Sequence, residues 1–258
     1  MQYPKISVVI PSYNKAKYIS GTLESIVRQK YPDIEVIIQD PGSTDASLEI
    51  IKKFTHIYPK IFKLYTEKDR GQLDAINKGL KKAGGELLTY INADDIYEEG
   101  ALMYIAEAYI SNPKALWFAG RGKVIDDRGS EIAKPITIYK NLLLLLNSYN
   151  LLLMVNYLMQ PSVFLTRNAY IKFGEFTGTR RFVMEYEMWL RLGRKEMPVV
   201  IPQTLSSFRL PQGSISRTDF EGTLGEDYAI VLRFTRNLLI LALHRLHSLG
   251  RRLIVKII

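Results

Sequence analysis

The chain contains no cysteine. That absence removes disulfides, thiolate metal sites and cysteine nucleophiles, and it fits a reducing compartment. Histidine is nearly missing too. His56, His244 and His247 are the whole set, each in a segment of helical periodicity, so none is expected to be catalytic. Long apolar runs are also lacking. The leucine-rich stretch 141–158 is interrupted by Asn147, Ser148, Asn150 and Asn156, so it is too broken to span a membrane and is expected to form a buried or interfacial helix. The opening Met1-Gln2-Tyr3-Pro4-Lys5 has no charged head, apolar stretch and small-residue cleavage site, so a cytoplasmic location is expected. No Gly-x-Gly-x-x-Gly follows the first apolar run and no Walker lysine loop is present, which disfavours dinucleotide and P-loop chemistry.

Acidic residues are absent from the tail. Residues 228–258 hold six Lys and Arg and no Asp or Glu, out of a net charge of +9 for the whole chain. The remainder shows no basic motif interleaved with aromatics, so nucleic acid is not an expected partner. In the tail, Ala242, Leu243, Leu246, Leu249, Leu253 and Ile257 recur at spacings of three and four. Arg233, Arg236, His244, His247 and Arg251 form another stripe. The pattern predicts a basic amphipathic helix, with two readings open. It lies in an interface against an anionic membrane surface, or it packs on its own domain or a second copy.

What the sequence does hold is enough for a core: 258 residues, 47% of them hydrophobic, suffice for one sizeable buried interior. Short β-branched runs at Ile6 to Ile10, Ile34 to Gln39, Phe62 to Tyr65 and Leu87 to Asn92 alternate with helix-period segments. This predicts an α/β fold with a mostly parallel sheet flanked by helices. A helix from Glu98 to Ser111, short runs around Trp117 and Val124, a run at Val163 to Leu165, a helix from Glu185 to Arg194, and runs at Val199 to Ile201 and Leu205 to Leu210 follow as a mixed region. The expected division is a domain over 1–225 and a helical tail over 226–258.

Ligands of an open parallel sheet bind beyond the carboxyl ends of its strands. The four expected strands end in Pro11-Ser12-Tyr13-Asn14-Lys15, Asp40-Pro41-Gly42-Ser43-Thr44-Asp45, Glu67 to Gln72, and Asn92-Ala93-Asp94-Asp95. Each is polar, and together they bring carboxylates and cations to one edge. Hard oxygens at Asp94 and Asp95 suit Mn2+ or Mg2+; equally, the run is a strand-end turn capping the next helix. Tyr13 offers a face for a planar base, Asp40 an acceptor for a base or ribose, and Lys15 and Arg70 charge for a diphosphate. The plain alternatives are a half-buried tyrosine, an Asx turn and solvated cations. Asp74 and Lys78, four apart, read equally as a surface pair. Glu185 and Glu187 open a helix above Trp189, so one carboxylate can face a cleft with the aromatic beneath it.

Taken together, these segments resemble the family 2 glycosyltransferases with the GT-A fold, over roughly residues 5 to 216. The resemblance rests on Ser7 to Asn14, Asp40 to Asp45, Asp69 to Gly79, Asn92 to Asp95, Gln160-Pro161-Ser162-Val163-Phe164 and Met184 to Arg191, with a closing segment Phe208 to Ser216. It implies donor contacts from Pro11, Tyr13, Lys15, Asp40, Arg70, Gln72, Asp74, Asn92 and Asp94, and a metal held by Asp95 and Asp94. It also implies acceptor-side positions at Gln160 and Trp189, and Glu185 as catalytic base. The implied reaction is inverting transfer from a UDP, GDP or dTDP sugar to a glycan or lipid-linked acceptor in bacterial surface polysaccharide synthesis, and the basic tail adds an expected peripheral place on the inner face of the cell membrane. Three departures stand out: Asn92 where Asp is frequent, Glu185 where Asp is usual, and Pro211 where His often stands. They keep a non-catalytic scaffold in view; a nucleotidyltransferase would need a further basic loop.

Overall fold

The computed structural model describes residues 3–178, 184–211 and 220–255. Four strands, β1 (Ile6–Pro11), β2 (Ile34–Gln39), β3 (Phe62–Tyr65) and β4 (Leu87–Tyr90), pair in parallel in the order β3-β2-β1-β4. All residues of β1, β2 and β4 are buried, as their mostly apolar character suits strands covered on both faces. The crossovers are helices α1 (Ile19–Val27), α2 (Ser47–Ile57) and α3 (Gln72–Lys82). The last packs close to β1: a methyl at Gly79 would lie 2.4 Å from Val9 Cγ1.

Beyond β4 the sheet turns mixed. The short β5 (Ile96–Tyr97) and helix α4 (Ala101–Ser111) lead to β6 (Trp117–Ile125) and β7 (Glu131–Ile132). Then β8 (Val163–Thr166) runs antiparallel between β4 and β6, and β9 (Val199–Arg209) pairs parallel with β6 and antiparallel with β5. The expected pairs of short runs, around Trp117 and Val124 and around Val199 and Leu205, are therefore each one long strand. Two glycines interrupt the apolar run of β6 and Pro202 that of β9; a Cβ at Gly120 would sit 2.2 Å from Leu205 Cδ1 and one at Gly122 2.8 Å from Met159 Cβ. Close neighbours, not chain turns, explain those glycines, and the β6–β9 register shifts beside them.

Helices α5 (Lys134–Leu146) and α6 (Tyr149–Met154) occupy the leucine-rich stretch, parted at Asn147 in the left-handed region with φ 45°. After α7 (Arg167–Phe173) and α8 (Met184–Gly193) come α9 (Phe220–Phe234) and α10 (Leu238–Val255). Two cores flank the sheet. One lies under α1, α2 and α4 and takes Ile6, Val8 and Ile10 of β1; the other lies under α3 and the later helices and takes Val9. The boundary drawn between 225 and 226 falls inside α9, and α10 packs on α6 and α9.

The tail helix presents its faces in reverse of a simple surface helix. Ile240, Leu241 and His244 are buried, and Arg251 pairs with the buried Asp227 of α9 at 2.8 Å, while Leu239, Leu243, Leu246 and Leu249 are exposed. Of the expected apolar stripe, the side chain of Leu253 and all of Ile257 lie outside the described residues. Among the described residues, no helix is long and apolar enough to cross a membrane.

Candidate active site

The first two strand-end loops are fastened to each other by side chains. Asp40 is fully buried: Oδ1 accepts from the Gly42 and Ser43 N–H groups, and Oδ2 from the Ser12 and Ser43 hydroxyls. Four internal donors thus hold the Asp40 carboxylate, expected as a donor contact, with none of its surface open, so its visible role is to organise the loop. Asn14, at φ 51°, accepts from the Thr44 N–H, and the Lys15 and Ala16 N–H groups donate to Ser47 Oγ and Asp45 Oδ2. The result is a rigid cradle floored by the buried Pro11. From it Tyr13 projects with 57% of its surface exposed, an aromatic face held ready for a planar group.

Lys15 reaches across the sheet edge to the fourth strand end, where Nζ donates to Asp94 Oδ2 at 2.5 Å. Asp95 sits behind. It is wholly buried, and its oxygens accept from the Arg209 N–H at 2.8 Å and from Asn92 Nδ2 at 3.0 Å. Asn92 in turn accepts from Gln72 Nε2 at 2.6 Å. Burial, and then the adjacent Asp94 charge, push the Asp95 carboxyl well above the usual carboxylate range, against the pull of its two donors.

Arg209 is the residue that sequence reasoning missed. At the carboxyl end of β9, its guanidinium donates to the Asp94 carbonyl at 2.9 Å and to the Asp126 carbonyl at 2.6 Å, and it lies 5.3 Å from the Tyr18 ring centroid. Its backbone and side chain thus grip both members of the carboxylate pair. Tyr18 donates to Asp127 at 2.7 Å, which closes this end of the edge. The only signal was position: a cation in the last residue of a strand whose direction matches β1 and β4. The expected closing segment is described through Pro211, and residues 212 to 216 lie outside the described residues.

The third loop is more open. Asp74 accepts from the Arg70 N–H and pairs with Lys78 at 3.2 Å, so it acts as the surface pair at the start of α3, while the Arg70 side chain is 90% exposed. Gln160 donates to the Tyr90 carbonyl at 2.7 Å and so stands at the end of β4.

Of the two glutamates opening α8, Glu187 is committed to structure. It is buried, accepts from Thr177 and from Arg191 at 2.8 Å, and has Arg233 at 3.5 Å. For Glu185, burial, and then the Asp227 charge, raise the pKa to about 7, with Lys140 opposing. Burial, and then the Glu185 and Asp95 charges, push the Tyr90 hydroxyl well above its ordinary pKa. Trp189 is not on the acceptor side. It is 1% exposed, stacked on Trp117 at 5.7 Å and edge-on to Phe176, with no face left for a sugar, and it supports α8 from below.

Asp94 and Asp95 present hard oxygens of the type Mn2+ and Mg2+ prefer. Among the described residues, however, no group of three or more His, Cys, Asp or Glu gathers to hold a metal. The residues fit a cation that draws most of its ligands from a diphosphate and water.

A sequence profile described as Glycosyl transferase family 2 matches residues 7–186. Poly-beta-1,6-N-acetyl-D-glucosamine synthase of Staphylococcus epidermidis is 32% identical over 137 residues, 53% of this chain and 33% of that protein. The matched segments span less than half the length of the first four curated relatives, from 14% to 49%. Among solved structures, the mannosyltransferase PcManGT from Pyrobaculum calidifontis in complex with GDP-Man and Mn2+ superposes with a TM-score of 0.71 at 19% identity, covering 92% of this chain and 66% of that one. S. aureus TarS 1–349 in complex with UDP-GlcNAc gives 0.63 at 21%, covering 88% and 66%. The architecture is that of the GT-A fold.

Proposed function

Since the chain belongs to glycosyl transferase family 2, we propose that it moves a sugar from a UDP, GDP or dTDP sugar to a hydroxyl of a glycan or lipid-linked acceptor, in bacterial surface polysaccharide synthesis. The observation that carries this reading is the single sheet edge shared by an exposed aromatic, a cation and a carboxylate pair: Tyr13, Lys15, Asp94 and Asp95. The neighbours of known structure were captured with GDP-Man and UDP-GlcNAc, which supports a nucleotide-sugar donor.

In this reading the base stacks on Tyr13 in the cradle organised by Asp40, and Lys15 and the exposed Arg70 face the diphosphate. Asp94 and Asp95 would hold Mn2+ or Mg2+, which offsets charge growing on the departing nucleoside diphosphate. Glu185 takes the proton of the acceptor hydroxyl as that oxygen attacks the anomeric carbon; one displacement gives inversion. A base with a pKa near 7 is matched to that task at neutral pH. We place the enzyme peripherally on the inner face of the cell membrane, on the support of the basic tail.

The test is incubation with a panel of UDP, GDP and dTDP sugars, with and without Mn2+. Free nucleoside diphosphate, released by the wild type and lost in Glu185→Gln and Asp94→Asn, is the expected result. Donor binding by calorimetry without any release would instead favour a nucleotide-binding scaffold.

A further inference from the structure

The largest unexplained feature lies away from the strand ends. On α5, Ile138, Leu142 and Leu146 are 59%, 57% and 66% exposed, and on α10, Leu239, Leu246 and Leu249 are 67%, 64% and 51% exposed. The two helices meet where Tyr139 stacks on His247 with ring centroids 6.0 Å apart, so the two stripes form one face. Such a contiguous apolar surface on a folded domain calls for a partner.

The roll of α10 is fixed from inside. His244 Nδ1 lies 3.0 Å from the Leu153 carbonyl, and Arg251 lies 2.8 Å from Asp227. These polar anchors hold the inner side of the helix, so its leucines cannot turn in to the core. At 100° per residue, Leu239, Leu246 and Leu249 point outward together, with Arg245 and Arg252, both exposed, along one border. On α5, Lys140 is directed inward, its ammonium on the Leu158 carbonyl at 3.3 Å. The cations at the rim of the apolar face are thus Arg245 and Arg252 of α10, and residues 228–258 contain no acid. Leucines in the centre with cations at the edge match acyl chains beneath anionic headgroups. A second copy would set like charges against one another.

We propose that the joined outer faces of α5 and α10 are a docking surface for an anionic lipid bilayer. The proposal rests on the peripheral location given above and assigns it to particular side chains.

The experiment is flotation of the full chain with vesicles of phosphatidylcholine, with and without phosphatidylglycerol, alongside sedimentation of the free protein. The wild type is expected to float with the anionic vesicles and far less with the neutral ones, and to lose binding as salt rises. Leu142→Glu and Leu246→Glu, both exposed and so free to fold, are each expected to weaken vesicle binding about tenfold, with donor affinity unchanged. If the wild type stays at the bottom with anionic vesicles, the peripheral location itself falls. If it floats and both variants float equally well, the location stands and the surface is wrong. A wild-type dimer that these variants split into monomers, without vesicle binding, would mean that a second copy covers the face.

Discussion

The Lys15 ammonium lies 2.5 Å from Asp94 Oδ2, so a cation from the first strand end occupies the most accessible carboxylate of the fourth. A donor diphosphate entering this edge meets both members of that pair. Charge-assisted bonds of this kind contribute about 1.5–3 kcal/mol. Lys15→Met is therefore expected to raise the donor KM by about tenfold or more with a much smaller change in kcat, as read by initial-rate kinetics over a donor series.

Arg209 holds the Asp94 and Asp126 carbonyls from β9. Arg209→Met removes both bonds but keeps the backbone N–H on Asp95, so the fold should persist while Asp94 loosens. The expected outcome is a fall in kcat/KM of about 10- to 100-fold with little loss of melting temperature. Arg209→Lys should recover little, because an ammonium cannot bridge two carbonyls as a guanidinium does.

Glu185 provides a pH signature. Its carboxyl is raised by burial from an ordinary 4.5 to about 7, and a base works only when deprotonated, so kcat/KM should climb with pH and level off above about 7. Glu185→Gln should remove this inflection and lower the rate by about 10²- to 10⁴-fold. Stability moves the opposite way. Between about 4.5 and 7 the folded chain holds a proton that the unfolded chain releases, so this site costs stability as pH rises through that window. Urea midpoints at pH 5 and pH 8 should therefore differ less in Glu185→Gln than in the wild type.

Helix α3 presses on β1 at Gly79, where an added Cβ would meet Val9 Cγ1 at 2.4 Å. Gly79→Ala should destabilise by about 1–3 kcal/mol, measured by denaturant titration. Val9→Ala in the same chain should return part of that loss, since the obstacle is a side chain and not backbone.

The strands and the edge were readable because parallel strands covered on both faces need mostly apolar runs, and β1 and β2 lie where those runs predict them. β6 is interrupted in sequence by Gly120 and Gly122, whose reason is contact with Leu205 and Met159, and β9 is interrupted by Pro202. Asp40, Trp189 and Glu187 show the same limit within the site. Sequence identifies a carboxylate or an indole near a strand end or helix start, but whether it faces the cleft depends on donors and rings contributed from distant segments. For Asp40 those are Ser12 and Ser43, and for Trp189 they are Trp117 and Phe176. Arg209 was illegible for the same reason, since its partners are backbone carbonyls with no sequence signature.

The hydrogen-bonded line from Gln72 through Asn92 and Asp95 to Arg209 also sets an order of events. Asp95 and Arg209 stand 114 residues apart, so the bond between them closes a long loop, and closing such a loop is the slow, entropically costly part of forming a sheet. The first four strands can pair early with the Asp95 carboxylate still lacking one of its donors. Only when β9 adds at the far side is that carboxylate fully held. On the proposed function, a chain in which β9 has not docked would have the Tyr13 cradle while Asp95 still lacks its Arg209 donor.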